Sequence, residues 1–500
     1  MDRNARIVVI GAGLGGLATA IRLRAAGFGV TVFDRLDQPG GRARVFREGG
    51  FTFDAGPTVI TAPFLIEELF ALAGERLADH VRLVPVDPFY RIRFDDGMTF
   101  DYVGDEARMV AQIATLFPGD EDGYRRLLRQ SERIYRVGFE RLAHRPFGHW
   151  TDMARIVPDM VRLGSFRTVW DLVASHVRHA RLRQILSFHP LLVGGNPFST
   201  TSIYALIAYL ERAHGVWYAM GGTGALVDAL VGLFRRLGGR LELGVEVRAI
   251  DVDGSRRVRG VELPGGRQLP ADLVVCNTDP IWTYRWLVPR RARRTWTDAR
   301  LARVRPSMGL FVWYFGTRRR YPDVAHHTIL LGPRYRGLLA DIFERRVLAD
   351  DFSLYLHRPT ATDPAMAPPG HDAFYVLSPV PHLGSGTDWD DFAETYRARI
   401  AAYLERALLP GLGEAVVTSR LLTPRDFERD YLSHAGAAFG PEPRLSQSAY
   451  FRFHNASEDV RGLYFVGAGT HPGAGIPGVL SSAKVVESLL TRGRSRVAAA

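Results

Sequence analysis

The sequence predicts an α/β chain whose main sheet is assembled from three separated segments, and three strand–glycine–helix passages predict it. The first is Ile7-Val8-Val9-Ile10 running into Gly11-Ala12-Gly13-Leu14-Gly15-Gly16-Leu17. The second opens at Gly221-Gly222-Thr223-Gly224, continues as a helix through Leu226, Leu230 and Leu233, and closes at Leu273-Val274-Val275-Cys276-Asn277. The third is Leu463-Tyr464-Phe465-Val466-Gly467-Ala468-Gly469-Thr470, with a helix from about Gly478. Short apolar runs bounded by glycine are the pattern of strands buried on both faces.

In the first passage Gly11 permits a tight turn, Gly13 lets the backbone approach a pyrophosphate, and Gly16 lets the helix pack close to its strand. Unpaired N–H groups at the helix start face the phosphates. The helix continues through Ala18, Ala20, Ile21 and Leu23 to about Ala26, with Gly27 as its cap. The strand Val30-Thr31-Val32-Phe33 then delivers Asp34, followed by Arg35, roughly 20 residues past the turn, where a carboxylate holds ribose hydroxyls. Turn, helix and acid together make a device for an adenine dinucleotide.

The next residues say which dinucleotide. Pro39-Gly40-Gly41-Arg42-Ala43 is followed by Phe53-Asp54-Ala55-Gly56-Pro57-Thr58, whereas nicotinamide dehydrogenases usually continue into a plain helix. A second glycine turn with an arginine resembles the two-dinucleotide-binding-domain flavoproteins, in which this segment passes beside FAD. That resemblance implies an α/β, Rossmann-like FAD domain built from discontinuous segments. It places Gly41, Arg42, Gly56, Pro57 and Thr58 at the cofactor, with Val247 and Asn277 from the second passage. Strands are expected around Leu241 to Val247.

The third passage continues as His471-Pro472-Gly473-Ala474-Gly475-Ile476-Pro477-Gly478. So many glycines and prolines exclude a regular helix or strand. The run reads as a rigid loop whose backbone approaches a flat ring, with the following helix N-terminus aimed at its carbonyl edge. Gly467, Gly469, Thr470, Gly475, Ile476 and Pro477 are its cofactor positions, and His471 either polarises the ring or caps the loop, capping being favoured.

The segments divide the chain into a cofactor domain (1–75, 221–292 and 451–492), a substrate domain (76–104 and 293–450) and a mostly helical region (105–220). Asp390 to Leu408 reads as one helix, and the last seven residues or so read as a frayed tail. A hydrophobic content of 46% over 500 residues supports a large core. One cysteine, Cys276, excludes a disulfide framework and a cysteine-built metal site. The net charge is +11, but Lys484 is the only lysine, and the arginines are scattered rather than clustered with aromatics. That argues against a nucleic-acid partner and leaves an anionic membrane face open. No apolar stretch is long enough to span a bilayer, and Ile7 to Ile10 is too short for a secretion signal.

Four more segments complete a resemblance. They are Leu186-Ser187-Phe188-His189-Pro190-Leu191-Leu192-Val193-Gly194-Gly195-Asn196-Pro197, Gly215-Val216-Trp217-Tyr218-Ala219-Met220-Gly221-Gly222, Leu377-Ser378-Pro379-Val380-Pro381-His382-Leu383, and the loop Gly467 to Gly478. From Val8 to about Leu490 the chain closely resembles the bacterial phytoene desaturases, FAD enzymes that dehydrogenate the colourless carotene phytoene. The resemblance implies successive dehydrogenations giving neurosporene and/or lycopene by hydride transfer to flavin, with phytoene and other linear carotenes as substrates. Oxygen or a quinone is the implied electron acceptor.

Such chemistry asks the protein for orientation, desolvation and at most one acid–base group. Trp150-Thr151-Asp152-Met153-Ala154-Arg155 matches a family stretch with an acid and an arginine near the flavin, which assigns catalysis to Asp152 and Arg155; no other carboxylate stands out. At i and i+3 the two share a helix face. Phe188, Leu192, Phe198, Trp217 and Tyr218 are the expected walls of a substrate tunnel. His326 and His327 read as structural, because neighbours on a strand point to opposite faces, and no metal centre is expected. Many amine oxidases hold a lysine near the flavin; here Lys484 lies in the closing helix, which disfavours amine oxidation.

Two other readings compete. One is another carotenoid oxidoreductase, a later-step desaturase or a carotene isomerase. The other is a prenyl-binding escort protein of this fold, which intact Gly11, Gly13, Gly16, Asp34 and the His471 loop argue against. Because phytoene has no polar group, the enzyme is expected to be peripheral to the cytoplasmic face of a membrane. The interfacial surface is expected within Met153 to Leu192, where Ile156, Val157, Met160, Val161 and Leu163 alternate with Arg155, Arg162 and Arg167.

Overall fold

A computed structural model of the chain describes residues 5–495; the end of the expected frayed tail, 496–500, lies outside them. A five-stranded parallel sheet has the order Leu463–Phe465, Leu273–Cys276, Arg6–Ile10, Gly29–Phe33, Arg240–Glu242. Its strands come from the three glycine-bearing passages. The register sets Ile10 beside both Phe33 and Cys276, so the carboxyl ends align along one edge.

The central strand is apolar throughout because both its faces are covered. Ile7 and Val9 pack with the helices Leu14–Ala25, Gly222–Arg236 and Ile476–Ser495. Val8 and Ile10 pack instead towards a three-stranded antiparallel sheet, Ala249–Val252, Val258–Leu263 and Arg267–Pro270. The run Leu241 to Val247 is not one strand. It stops at Glu242, turns at Gly244 (φ +69°) and returns beneath Asp34, whose carbonyl accepts the Val245 N–H at 2.9 Å.

A seven-stranded sheet forms the second layer, in the order Val416–Leu422, Gly309–Thr317, Asp372–Val380, Leu354–His357, His327–Leu331, Tyr90–Phe94, Thr99–Tyr102. Gly309–Thr317 is buried at every position, so its alternation is invisible in the sequence. Phe311, Trp313 and Phe315 face the core under the helix Trp389–Ala407. Leu310, Val312 and Tyr314 face the opposite core, which reaches into the helical region. That region includes the helices Glu106–Leu116, Glu121–Tyr135, Trp150–Leu163 and Leu206–His214. Among the described residues, no helix is long and apolar enough to cross a membrane.

Candidate active site

A cavity of ≈ 540 Å³ runs from the carboxyl edge of the parallel sheet to the inner face of the seven-stranded sheet. Its polar end is made by the glycine turns. At Gly11 (φ +101°) the chain adopts a conformation that favours glycine, and the Gly11 N–H donates to Phe33 O at 2.7 Å. Gly40 (φ +103°) repeats the device, its N–H bonding Ala12 O at 2.8 Å, so the second glycine turn lies directly against the first. Gly11, Gly13, Gly41, Gly56, Pro57, Thr58, Val247 and Asn277 all line the cavity. Gly16 does not, because its place is structural: a Cβ there would sit 2.0 Å from Gly11 O.

Asp34 lines this end, but both its oxygens already accept backbone N–H groups, from Ala12 at 2.7 Å and Leu36 at 2.9 Å. Burial raises its pKa against those bonds, and one lone pair on each oxygen remains for ribose hydroxyls. Arg35 also lines it and donates to backbone carbonyls, including Asp430 O at 3.4 Å. Arg42 donates to Ser433 Oγ at 2.6 Å while its Nε stays buried and unpartnered; burial lowers its pKa.

The closing loop delivers Gly467, His471, Gly475, Ile476 and Pro477 to the same wall. Gly469 and Thr470 turn away from it, contrary to expectation. A Cβ on Gly469 would meet Pro280 at 2.3 Å, and the Thr470 hydroxyl donates to Phe453 O at 2.7 Å. The His471 ring packs edge-on to Phe147 at 4.8 Å and faces the backbone of Leu142 and Arg145, and burial holds its pKa down to about 3. Glycine backbones, two helix N-termini and the buried, unpartnered Arg42 Nε fit a flat, polar-edged flavin with a pyrophosphate tail.

The other arm is apolar. Phe188 and Leu192 line it as expected, joined by Leu310, Val312 and Leu377 of the large sheet. Three expected walls are elsewhere. Phe198 packs on Trp170 at 4.7 Å, the Trp217 indole donates to His214 O at 2.6 Å, and Tyr218 is edge-on to His326 at 4.7 Å.

Helix Trp150–Leu163 closes the cavity with Met153, Ile156, Met160 and Leu163. Asp152 and Arg155 do not line it. Asp152 is the third residue of this helix and accepts the His149 N–H at 3.0 Å, a capping bond, and Arg155, 78% exposed, lies 3.6 Å from it. The geometry of this pair is that of a surface ion pair with a helix-capping bond, outside the cavity where a catalytic pair was expected.

Sequence reasoning passed over a buried carboxylate. Glu211, on helix Leu206–His214, lines the cavity and accepts from Tyr90 OH at 2.7 Å, with His189 Nε2 at 3.2 Å. The sequence signal was an acid directly after the apolar run Leu206-Ile207-Ala208-Tyr209-Leu210, four residues before Gly215.

The histidines also differ from expectation. The strand begins at His327, so His326 precedes the pleat and the two rings meet at 4.5 Å, with His357 close to both. Burial lowers the pKa of all three. His327 Nδ1 bonds Tyr355 OH at 2.6 Å, and Tyr355 OH in turn reaches Thr58 at 3.2 Å on the cavity wall.

Comparison with known proteins agrees with this geometry. The flavin containing amine oxidoreductase family model matches residues 14–486. The chain is 50% identical to a phytoene desaturase (lycopene-forming) of Pseudescherichia vulneris, over 97% of this chain and 99% of that one. It is 47% identical to a phytoene desaturase (neurosporene-forming) of Rhodobacter capsulatus, over 97% and 94%. Among solved structures, an oxidoreductase from Methanosarcina mazei matches with TM-score 0.65 at 19% identity, over 96% and 99% of the two chains. Putrescine oxidase bound to putrescine matches with TM-score 0.65 at 14% identity, over 98% and 99%. At those identities the structural likeness is one of fold.

Proposed function

The chain belongs to the phytoene desaturases within the flavin containing amine oxidoreductase family, and from that premise we propose how its cavity performs the reaction. The enzyme desaturates phytoene in carotenoid biosynthesis, by successive dehydrogenations giving neurosporene and/or lycopene. The observation that carries this is a single cavity with glycine turns at one end and an apolar arm at the other.

FAD is the form of flavin we assign, because the turn at Gly11 to Gly16 and the acid Asp34 suit an adenosine diphosphate. When bound, it supplies the hydride acceptor. The protein's share is placement. Helix starts at Leu14 and Ile476 point N–H groups into the polar end, and Phe188, Leu192, Leu310 and Leu377 hold a hydrocarbon in a dry arm. Lys484 supports desaturation over amine oxidation, since it pairs with Glu68 at 2.7 Å outside the cavity.

We assign a peripheral position on the cytoplasmic face of a membrane, entered through helix Trp150–Leu163. One face of this helix buries Ile156, Met160 and Leu163 against the cavity. Its other face exposes Trp150 (68%) and Val161 (63%), with Phe166 just beyond, among Arg155, Arg162 and Arg167. Apolar side chains interleaved with arginine suit an anionic lipid surface, from which a hydrocarbon reaches the adjacent cavity directly. Oxygen or a quinone re-oxidises the flavin in this reading.

Expression in a host that accumulates only phytoene tests the function: coloured neurosporene or lycopene is expected, and unchanged phytoene overturns it.

A further inference from the structure

Removing two hydrogens from a CH2–CH2 unit releases a hydride and a proton, and the proton needs an acceptor inside a dry cavity. Of the carboxylates on the cavity wall, four are held by arginine or backbone partners. Asp34 accepts two backbone N–H groups. Asp159 pairs with Arg141 and Arg162, Glu246 with Arg35 and Arg248, and Asp430 with Arg44 and Arg429. Glu211 differs. It is 1% exposed, and its carboxylate is bonded by Tyr90 OH and His189 Nε2, both buried. A carboxylate placed in an apolar arm without an arginine is costly, and such costs are concentrated where chemistry uses the group.

We propose that Glu211 is the base that takes the proton in each dehydrogenation, with Tyr90 and His189 as its positioning residues. The inference rests on the desaturase reading above. The C–H bond on one carbon breaks with its electron pair, and that hydride, carrying both electrons, leaves to the flavin. The C–H bond on the neighbouring carbon then breaks heterolytically. Its electron pair becomes the second bond of the new C=C, and its proton goes to a carboxylate oxygen of Glu211. A C–H beside an allylic cation is acidic enough to give its proton to a carboxylate. Tyr90 and His189, bonding one oxygen each, fix the plane of the carboxylate on a helix that packs along the apolar arm.

The test compares wild type with Glu211→Gln and Glu211→Asp, using phytoene in liposomes. Glu211→Gln is expected to keep native melting, flavin content and half-saturation by phytoene while its turnover falls about 100-fold or more, and Glu211→Asp is expected to recover part of that loss. Infrared difference spectra of wild type against Glu211→Gln without substrate are expected to carry the bands of an ionised carboxylate. Turnover of Glu211→Gln within twofold of an active wild type overturns the inference alone, as does a protonated carboxyl band for Glu211. A wild type that leaves phytoene unchanged overturns the desaturase reading as well.

Discussion

Gly15 and Gly467, at opposite ends of the chain, approach so closely that a Cβ on Gly15 would lie 3.2 Å from the Cα of Gly467. The first helix therefore starts against the closing loop, with Val479 of the last helix 3.1 Å from the same Cβ, and the cavity's polar end is complete only when these distant segments have met. This closeness makes the glycines at this junction intolerant of any side chain.

Gly13→Val is accordingly expected to abolish flavin absorbance. Even a Cβ at Gly13 would lie 2.6 Å from Asn277 Nδ2, and the branched side chain fills the space meant for a pyrophosphate. The visible spectrum of the purified variant checks this; a folded, yellow Gly13→Val protein contradicts it.

Asp152→Ala and Arg155→Ala are expected to leave product formation within twofold of wild type. Loss of the capping bond to His149 costs about 1 kcal/mol, and the exposed partner Arg155 adds little. Thermal melting and pigment assays check both. A tenfold fall in turnover at native flavin content would restore the pair to catalysis.

The turns were legible in the sequence because each is a steric demand met by a single residue next to its strand: only glycine fits at Gly11 and Gly40. The substrate arm was not. On the fully buried strand Gly309–Thr317, Leu310 and Phe311 look alike, and only the fold says that Leu310 faces the cavity and Phe311 the far core. Trp217 and Tyr218 failed as tunnel residues for the same reason, since aromatic character does not specify a face. Glu211 was hidden because its partners, Tyr90 and His189, lie far away in sequence, in separate elements.

Trp150→Glu combined with Val161→Glu is expected to weaken binding to anionic liposomes at least tenfold while leaving flavin content native. Both side chains are exposed and face away from the cavity. Flotation in low and high salt checks this, with salt weakening wild-type binding without eliminating it. Undiminished flotation of the double variant would move the membrane surface elsewhere.

Stability is expected to fall as pH drops below about 6.5. His471 holds its pKa near 3 in the folded chain, whereas in the unfolded chain it protonates near its ordinary value. Below that value only the unfolded state gains the proton, costing about 1.4 kcal/mol per pH unit until the folded pKa is reached. His471→Gln should therefore show a shallower acid limb when melting is followed from pH 7 to pH 4. An unchanged limb would mean that the ring is not buried as described.

The most direct test of the account is anaerobic mixing of the purified yellow protein with phytoene in liposomes, followed by absorbance. Bleaching of the flavin band in step with the rise of a longer conjugated polyene is the predicted result. A flavin band that stays unchanged over phytoene, or a protein purified without flavin, would contradict it.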